Sequence, residues 1–495
     1  MTTVITTHIQ ENRTVPRLWL EGAKLAHAGV EIGVQYFLSV SKQLRRIELR
    51  PAPNDFAGKT FKVSTRTRND RVSPLMEIRD AILNEVFEVG TKVRVAIQKG
   101  RIIISQTHIA IKIQERVNAF LDKLKNGEPL SVISLFHGGG VLDKAMHHGL
   151  QRGGLDSFVK VGVELEGNYI DASLVNNPEL WREESIVLNG DVRDINLMGS
   201  GIPQCQLLYG GVPCTGASIA GVAKNQLSCA EEHSTAGTLF IDFIDWVKAT
   251  NPAIVVLENV VEYAKSVGMT VIRSVLTGLG YQVSETTLDG AQMGSLEKRK
   301  RLCMVATTPG VCGMVDFNEL VPTRVKEEKI ADVLEYVPAD SDRWKPFDYL
   351  ADKEVRDIAA GKGFKRQLLT GEEDGCGVIG RGYAKARSTE PFIISPWNPS
   401  LSRLLTPAEH AAVKTAPVSL VRGVSETTAH EILGQSVVYE AVVAIGELIA
   451  RTVKGLVKTL SPPVIQKIKA QEDGPNPVKS NQQAGETLPL FSLTA

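Results

Sequence analysis

Net charge is the first thing this sequence lacks: 56 Lys and Arg residues balance 56 Asp and Glu over 495 residues. A chain coated in positive charge, of the histone kind, is excluded, although local basic clusters still suffice to hold phosphates. No run of about 18 consecutive apolar residues occurs, and the segment from Met1 to Asn12 is Thr-rich and polar with no apolar secretion signal. The expectation is therefore a soluble, cytoplasmic protein with no membrane partner. Its six cysteines (Cys205, Cys214, Cys229, Cys303, Cys312, Cys376) never form a Cys-x-x-Cys pair. Neither a zinc site nor a disulfide framework is signalled, no metal is expected, and one thiol is free to act as a reduced nucleophile.

The remainder is an ordinary globular composition, 43% hydrophobic and 23% charged, long enough for two or three domains. Residues 1–107 suggest a small β-rich module with a weak internal repeat. The segment from Ala28 to Leu38 aligns with that from Glu85 to Val95, each with a short apolar segment, a Gly turn and alternating strands. The pattern is similar to AbrB-type swapped-hairpin domains, which implies two copies pairing into one DNA-binding barrel; Arg66, Arg68 and Arg71 would then meet phosphate. Residues 108–129 read as a helical connector with Ile109, Ile113, Val117, Phe120, Leu121 and Leu124 at helical spacing, broken at Asn126-Gly127-Glu128-Pro129.

From Leu130 to about residue 309, apolar strands alternate with helical patterns: 132–136, 158–164, 186–188, 206–209, 254–257, 282–287 and 302–306. Strands separated by helices predict an α/β fold with a mostly parallel sheet and ligands at the strands' carboxyl ends. Residues 310–399 are more polar and richer in Gly, Pro and charge. The fold resumes at 400–460 with a long helix near Ser436 to Lys458, and the Pro/Gln/Lys-rich tail 461–495 is expected to be disordered.

Four groups carry chemistry. Strand 132–136 runs into His137-Gly138-Gly139-Gly140, where glycines admit a ligand to the backbone and a helix N-terminus favours negative charge. Glu164 ends the next strand, where a carboxylate can accept both ribose hydroxyls, and Asp191 follows the third. Cys214 sits in the turn Gly210-Gly211-Val212-Pro213-Cys214-Thr215-Gly216. Glu258 follows the apolar Ile254-Val255-Val256-Leu257, where partial desolvation would raise a carboxyl pKa. The basic run Lys298 to Arg301 lies before an apolar strand.

The order and spacing of these pieces resemble the DNA (cytosine-5) methyltransferase family from about Leu130 to the helix after Gly434. The resemblance implies a Rossmann-like class I methyltransferase fold, S-adenosyl-L-methionine as cofactor and double-stranded DNA as partner. Phe136, Gly138 and Gly140 match the family's Phe-x-Gly-x-Gly, Glu164 its ribose carboxylate and Asp191 its adenine-amine acceptor. Ser436 and Val437 match a Gly-Asn-Ser-Val segment on the cofactor side, with Gln435 replacing Asn. Ser134 and Val141 depart from the pattern, as do Thr215 and Ala217 beside the cysteine.

By the same resemblance Cys214 is the nucleophile that adds to cytosine C6, and Glu258 the acid at N3. The segment Gly294 to Arg301 matches Gly-Val-Pro-Gln-x-Arg-x-Arg at Gly294, Arg299 and Arg301 but not at the Val, Pro and Gln positions, the last occupied by Glu297. Arg299 is expected at the pyrimidine carbonyl and Arg301 on DNA. Arg403, Leu405, Thr406 and Glu409 match Arg-x-Leu-Thr-x-x-Glu. Residues 310–399 become the target-recognition region, with Lys365, Arg366, Tyr383, Lys385 and Arg387 as DNA contacts.

The implied activity is site-specific methylation of a flipped-out cytosine by an enzyme monomeric on DNA and nucleoid-associated, with a cognate restriction nuclease as an expected partner. The alternatives are a tRNA cytosine-5 methyltransferase and a non-catalytic DNA-binding regulator. RNA enzymes that use a second cysteine in a Thr-Cys turn are disfavoured by Glu258-Asn259.

Overall fold

Along β3 (Val15–Glu21), Pro16, Leu18 and Leu20 are buried while their neighbours are partly exposed, the period of two that a half-buried strand requires. The computed structural model describes residues 2–198, 201–213, 237–362 and 365–460, with side chains to residue 455. Cys214, Thr215, Ala217 and the tail 461–495 lie outside the described residues.

Ten strands form the N-terminal module. The first half holds β1 (Thr3–His8), β2 (Gln10–Asn12), β3, helix α1 (Ala23–His27), β4 (Gln35–Ser41) and β5 (Arg46–Pro51). The second holds β6 (Thr60–Lys62), β7 (Ser64–Arg68), β8 (Arg71–Arg79), a 3-10 turn at Ala81–Glu85, β9 (Lys92–Gln98) and β10 (Arg101–Gln106). Their sheets run β1-β9-β10-β5-β4-β6 and β2-β3-β8-β7. Exchanging the halves turns each order into its own reverse. β3 pairs with β8 and β5 with β10, while β1 pairs with β9 and β6 with β4, so each half lends its first strand to the other. Leu18, Leu49, Val95 and Ile104 are fully buried in the shared core. The repeat visible in sequence is only the part around Gly33 and Gly90, whose φ angles of 91° and 89° demand glycine.

Helix α2 (His108–Asn126) starts on a Thr107 side-chain cap and stops at Gly127 in the left-handed conformation. Its packing departs from the expected stripe. Ile109 is 41% exposed, whereas Arg116 is buried, donating to the Leu279 carbonyl (2.8 Å) with its guanidinium over the Tyr281 ring. A guanidinium laid on an aromatic face satisfies itself there, which hydrophobic periodicity does not register.

The next sheet contains the seven expected strands: β11 (Leu130–Leu135), β12 (Ser157–Glu164), β13 (Ile186–Asn189), β14 (Leu207–Gly210), β15 (Ile254–Asn259), β16 (Gln282–Asp289) and β17 (Lys300–Thr307). Their order is β13-β12-β11-β14-β15-β17-β16, parallel except at β17, which is antiparallel to β15 and β16. Helices α3 (Val141–Arg152), α4 (Gly167–Asn176), α5 (Leu239–Thr250) and α6 (Val267–Gly278) link these strands. Covered on both faces, β11 and β14 are buried at every position. Order reverses between β11 and β14, the switch point where such sheets bind ligands.

Beyond β17 lie α7 (Asp348–Ala359) and a small sheet of β18 (Gln367–Leu369), β19 (Pro391–Ile394) and β20 (Ser402–Arg403). Helices α8 (Pro407–Val413), α9 (Glu426–Gln435) and α10 (Tyr439–Leu460) return to the large sheet, and α10 lies along α3. Close approach is possible because Gly149 and Gly446 meet backbone to backbone. Among the described residues no single helix is long and apolar enough to cross a membrane. α9 with α10 passes only as a pair bent by 48°, and its apolar residues Leu433, Val443, Leu448 and Ile449 are buried in the core.

Candidate active site

At the end of β11 the chain turns through Phe136 in the left-handed region (φ 58°), an uncommon conformation for an aromatic residue. Gly138 and Gly140 follow at φ 58° and 75°. A Cβ on Gly140 would lie 2.5 Å from Ser173 Oγ, whereas one on Gly138 would meet only Gln435 Nε2 at 3.9 Å. Gly140 is closed by packing; Gly138 is open for a ligand. Glu164, at the end of β12, accepts the Gly138 amide at 2.6 Å through Oε2 and the Glu166 amide at 2.9 Å through Oε1. It thus braces the glycine turn. Asp191 caps its own 3-10 turn and pairs with Arg193.

Beneath this turn lies a buried polar chain that the sequence did not disclose. Ser134 Oγ donates to Asp143 Oδ2 (2.8 Å), His137 Nδ1 is 2.9 Å from Ser134 Oγ and 3.1 Å from Asp143 Oδ2, and His137 Nε2 is 2.7 Å from Ser173 Oγ. Asp143, in the first turn of α3, brings a carboxylate to the place where Ser134 stands for the family's acid. An acid in a first turn is so common that it attracts no notice in sequence.

At the far side of the switch point, Glu258 ends β15 beside Gly211; a Cβ built on that glycine would lie 3.8 Å from Glu258 Oε2. Arg301 on β17 places Nε 3.0 Å from Glu258 Oε1. Burial pushes the Glu258 carboxyl above its ordinary range, against the pull of Arg301, Arg299 and Lys414. Asn259 donates to the Val212 carbonyl at 2.9 Å and accepts the Val260 amide at 2.8 Å, pinning the loop that leads into Pro213-Cys214.

Comparison with known proteins now bears on these positions. Residues 130–451 match the model of the C-5 cytosine-specific DNA methylases, about two thirds of the chain. The chain belongs to that family. Like its members, the methylase transfers a methyl group from S-adenosylmethionine to C5 of cytosine in DNA. It is 30% identical to the type II methyltransferase M.NlaX of Neisseria lactamica over 267 residues, 52% of this chain and 79% of that one. It is 28% identical to M.SsoII of Shigella sonnei over 272 residues, 53% and 68% of the two chains. Its fold is similar to that of the S. pombe Dnmt2 methyltransferase, with a TM-score of 0.51 at 17% identity, covering 67% of this chain and 100% of that one.

Gly138 is open, Glu164 has lone pairs beyond its two amide bonds, and the buried Asp143 Oδ1 has no hydrogen-bond partner among the described residues. Gln435 Nε2 approaches Gly138, while Ser436 Oγ turns back to donate to the Leu433 carbonyl (2.7 Å). Val437 is buried and lines a small cavity with Glu258, Leu288, Arg299 and Arg301 rather than with the glycine turn.

Three expected positions of the methylase change place. Arg299 is 2% exposed and faces Glu297 and the carbonyls of Ile379 and Gly434, while Arg301 makes the ion pair with Glu258 and both arginines line the cavity at that carboxylate. Alternation along an entering strand sends residues two apart to one face only while the strand is regular, and Arg299 precedes β17. Tyr383 is fully buried, its hydroxyl donating to Pro391 O (2.7 Å) and accepting the Leu405 amide (2.8 Å), so it cannot touch DNA. Arg366 is drawn inward, with its guanidinium 5.8 Å from the Phe392 ring and 3.4 Å from Ser402 Oγ. Lys365, Lys385 and Arg387 are exposed.

Proposed function

We propose that Cys214, Glu258 and Arg301 are the reacting site of this DNA cytosine-5 methyltransferase. The observation that carries the proposal is the Glu258–Arg301 pair at the carboxyl end of β15, beside the loop that Asn259 ties down two residues before Cys214. Cys214 thiolate adds to C6 of a flipped-out cytosine while Glu258, protonated by virtue of its burial, donates to N3. Arg301, ion-paired with the Glu258 carboxylate, holds the pyrimidine carbonyl. When bound between Gly138, Glu164, Asp191 and Ser436, S-adenosylmethionine supplies an electrophilic methyl group. C5, made nucleophilic by the addition at C6, takes that methyl; loss of the C5 proton and expulsion of Cys214 restore the ring.

Residues 310–399 serve as the target-recognition region in this proposal, with exposed Lys365, Lys385 and Arg387 toward DNA. The N-terminal module holds flanking duplex. Residues 1–107 carry 17 Lys and Arg against 10 Asp and Glu, whereas the other residues are acidic in excess. Arg46, Arg50 and Arg101 gather around the single Glu48 on one face of the six-stranded sheet, while Arg66 and Arg68 already pair with Glu21. A basic face of this kind adds to the salt dependence of DNA binding. The enzyme then acts as a cytoplasmic monomer on the nucleoid, in the manner of a restriction-modification methyltransferase with its own nuclease.

The test is methyl transfer from labelled S-adenosylmethionine to unmethylated bacteriophage DNA, with 5-methylcytosine sought in the digest. Cys214→Ser is expected to abolish transfer and Arg301→Lys to reduce it more than Arg299→Lys. Full activity of Cys214→Ser removes the nucleophile assignment, and equal loss in both arginine variants removes the distinction between them. Transfer to tRNA in preference to duplex DNA would favour the RNA alternative.

A further inference from the structure

Glu297 stands where the Gln-x-Arg-x-Arg pattern expects glutamine, and neither side chain of the pair it forms is solvent-exposed. Its carboxylate Oε2 meets Lys414 Nζ at 2.6 Å, with both side chains fully buried. Oε1 accepts the Ile379 amide at 2.7 Å and an Arg299 Nη1 hydrogen at 3.4 Å. Arg299 also donates to the Ile379 carbonyl (3.4 Å) and, through Nη2, to the Gly434 carbonyl (3.2 Å). One buried charge cluster therefore joins the segment before β17, the recognition region at Ile379, the C-terminus of α8 and the cofactor segment at Gly434. Backbone contacts seal the junction: the Glu297 amide donates to Val413 O (3.1 Å), the Lys298 amide to Cys376 O (2.9 Å), and a Cβ on Gly434 would lie 2.2 Å from Gly380 O.

Burying an ion pair costs desolvation that a neutral amide in the same place avoids. Removing one partner costs far more, because it strands the other charge. The cluster reaches Glu258 through Arg299, which lines the same small cavity; burial raises the Glu258 carboxyl, with Arg301, Arg299 and Lys414 opposing. Burial and Arg299 push the Lys414 ammonium down to about 7, with Glu297 opposing. The other groups around it are His410, kept neutral by burial, Cys376, whose thiol is pushed up to about 12, and Glu390.

We propose that Glu297 and Lys414 are a positioning pair for methyl transfer: they hold Arg299 as the tie between the recognition segment at Ile379 and the cofactor segment at Gly434, and Lys414 sets the field at Glu258. The role at Glu258 rests on that residue being the N3 donor; the tie to Gly434 does not.

The full-length wild type, Glu297→Gln, Lys414→Gln and the Glu297→Gln/Lys414→Gln double variant are compared by single-turnover methyl transfer to unmethylated bacteriophage DNA between pH 6 and 9. Lys414→Gln, which takes the 2.6 Å ammonium from the Glu297 carboxylate and leaves it only Arg299 at 3.4 Å and the Ile379 amide, is expected to lose ~10-fold or more in rate, and the double variant, in which two amides replace the ion pair while Arg299 keeps its two carbonyl partners, to return to within about 3-fold of wild type. Lys414→Gln also moves the high-pH fall in rate upward, since Glu258 loses a cation, and the double variant, which lacks that cation too, keeps the upward shift; Glu390→Gln, which titrates nearby, is the control for that limb. Calorimetric binding of S-adenosylmethionine is expected to weaken about 10-fold in Lys414→Gln and recover in the double variant. An unaffected Lys414→Gln, a double variant no better than Lys414→Gln at an equal melting midpoint, or a rate loss that follows only the folded fraction overturns the pair's role. If the wild type transfers nothing, the fault lies with the reacting site, and the binding measurement alone decides the tie to Gly434.

Discussion

Asn259 Nδ2 donates to the carbonyl oxygen of Val212 across 2.9 Å. That bond joins the residue after Glu258 to the loop that ends in Pro213-Cys214, so the proposed acid and the proposed nucleophile share one anchor. Because Asn259 is 3% exposed, no water replaces it at low cost.

Asn259→Ala is therefore expected to reduce single-turnover methyl transfer by about 10-fold, the kinetic equivalent of one buried hydrogen bond, while S-adenosylmethionine affinity stays within about 2-fold. Stopped transfer assays and calorimetry check the two halves. An equal loss in affinity would place the bond's effect on the cofactor instead.

Gly140→Ala introduces a Cβ 2.5 Å from Ser173 Oγ at φ 75°. The strain and overpacking together amount to about 2–5 kcal/mol, so the melting midpoint falls by several degrees and cofactor binding weakens with it. Gly138→Ala shares the left-handed φ but meets only Gln435 at 3.9 Å, so its effect falls more on cofactor affinity than on packing. Melting curves with and without S-adenosylmethionine separate the two variants.

Tyr383→Phe leaves the Leu405 amide without its buried acceptor. A loss of about 1–3 kcal/mol in stability follows, with DNA affinity unchanged at temperatures well below melting. Weaker DNA binding by a fully folded Tyr383→Phe protein would return this residue to the interface.

Burial raises the Glu390 carboxyl to about 7, against the Gly380 amide and Arg387. A carboxyl raised in the fold stabilises it fully below the unfolded value near 4.5, and that contribution is lost as pH rises to about 7, up to roughly 3 kcal/mol. Glu390→Gln, which keeps an acceptor for Gly380, is expected to melt higher than wild type at pH 8 and to flatten the decline between pH 5 and 8. Parallel melting profiles of the two proteins across that range would show that Glu390 is ionised at no such cost.

The inner strands of the large sheet were legible because each is a largely apolar run bounded by polar turns, and strands buried on both faces leave that mark in sequence, whereas the edge strands β13 and β16 are partly exposed. Glu164 and Glu258 were legible for the same reason, as acids ending apolar runs. Arg299 and Arg301 were not separable: two arginines two residues apart look alike until β17 begins between them and turns one toward Glu258 and the other toward Glu297. Tyr383 lay in a basic, glycine-containing stretch that reads as exposed, yet its ring meets His410 and His430 in the interior.

By itself, then, the sequence determined the order of strands and helices, the family and the cofactor, since these follow from local periodicity and from short motifs whose spacing survives without tertiary contacts. Tertiary structure alone decided which side chains share a site. Asp143 reaches Ser134 from the next helix, Lys414 meets Glu297 across 117 positions of chain, and each N-terminal half borrows its first strand from the other. Such pairings depend on buried charges and hydrogen bonds finding partners in space, and sequence separation carries no record of that search.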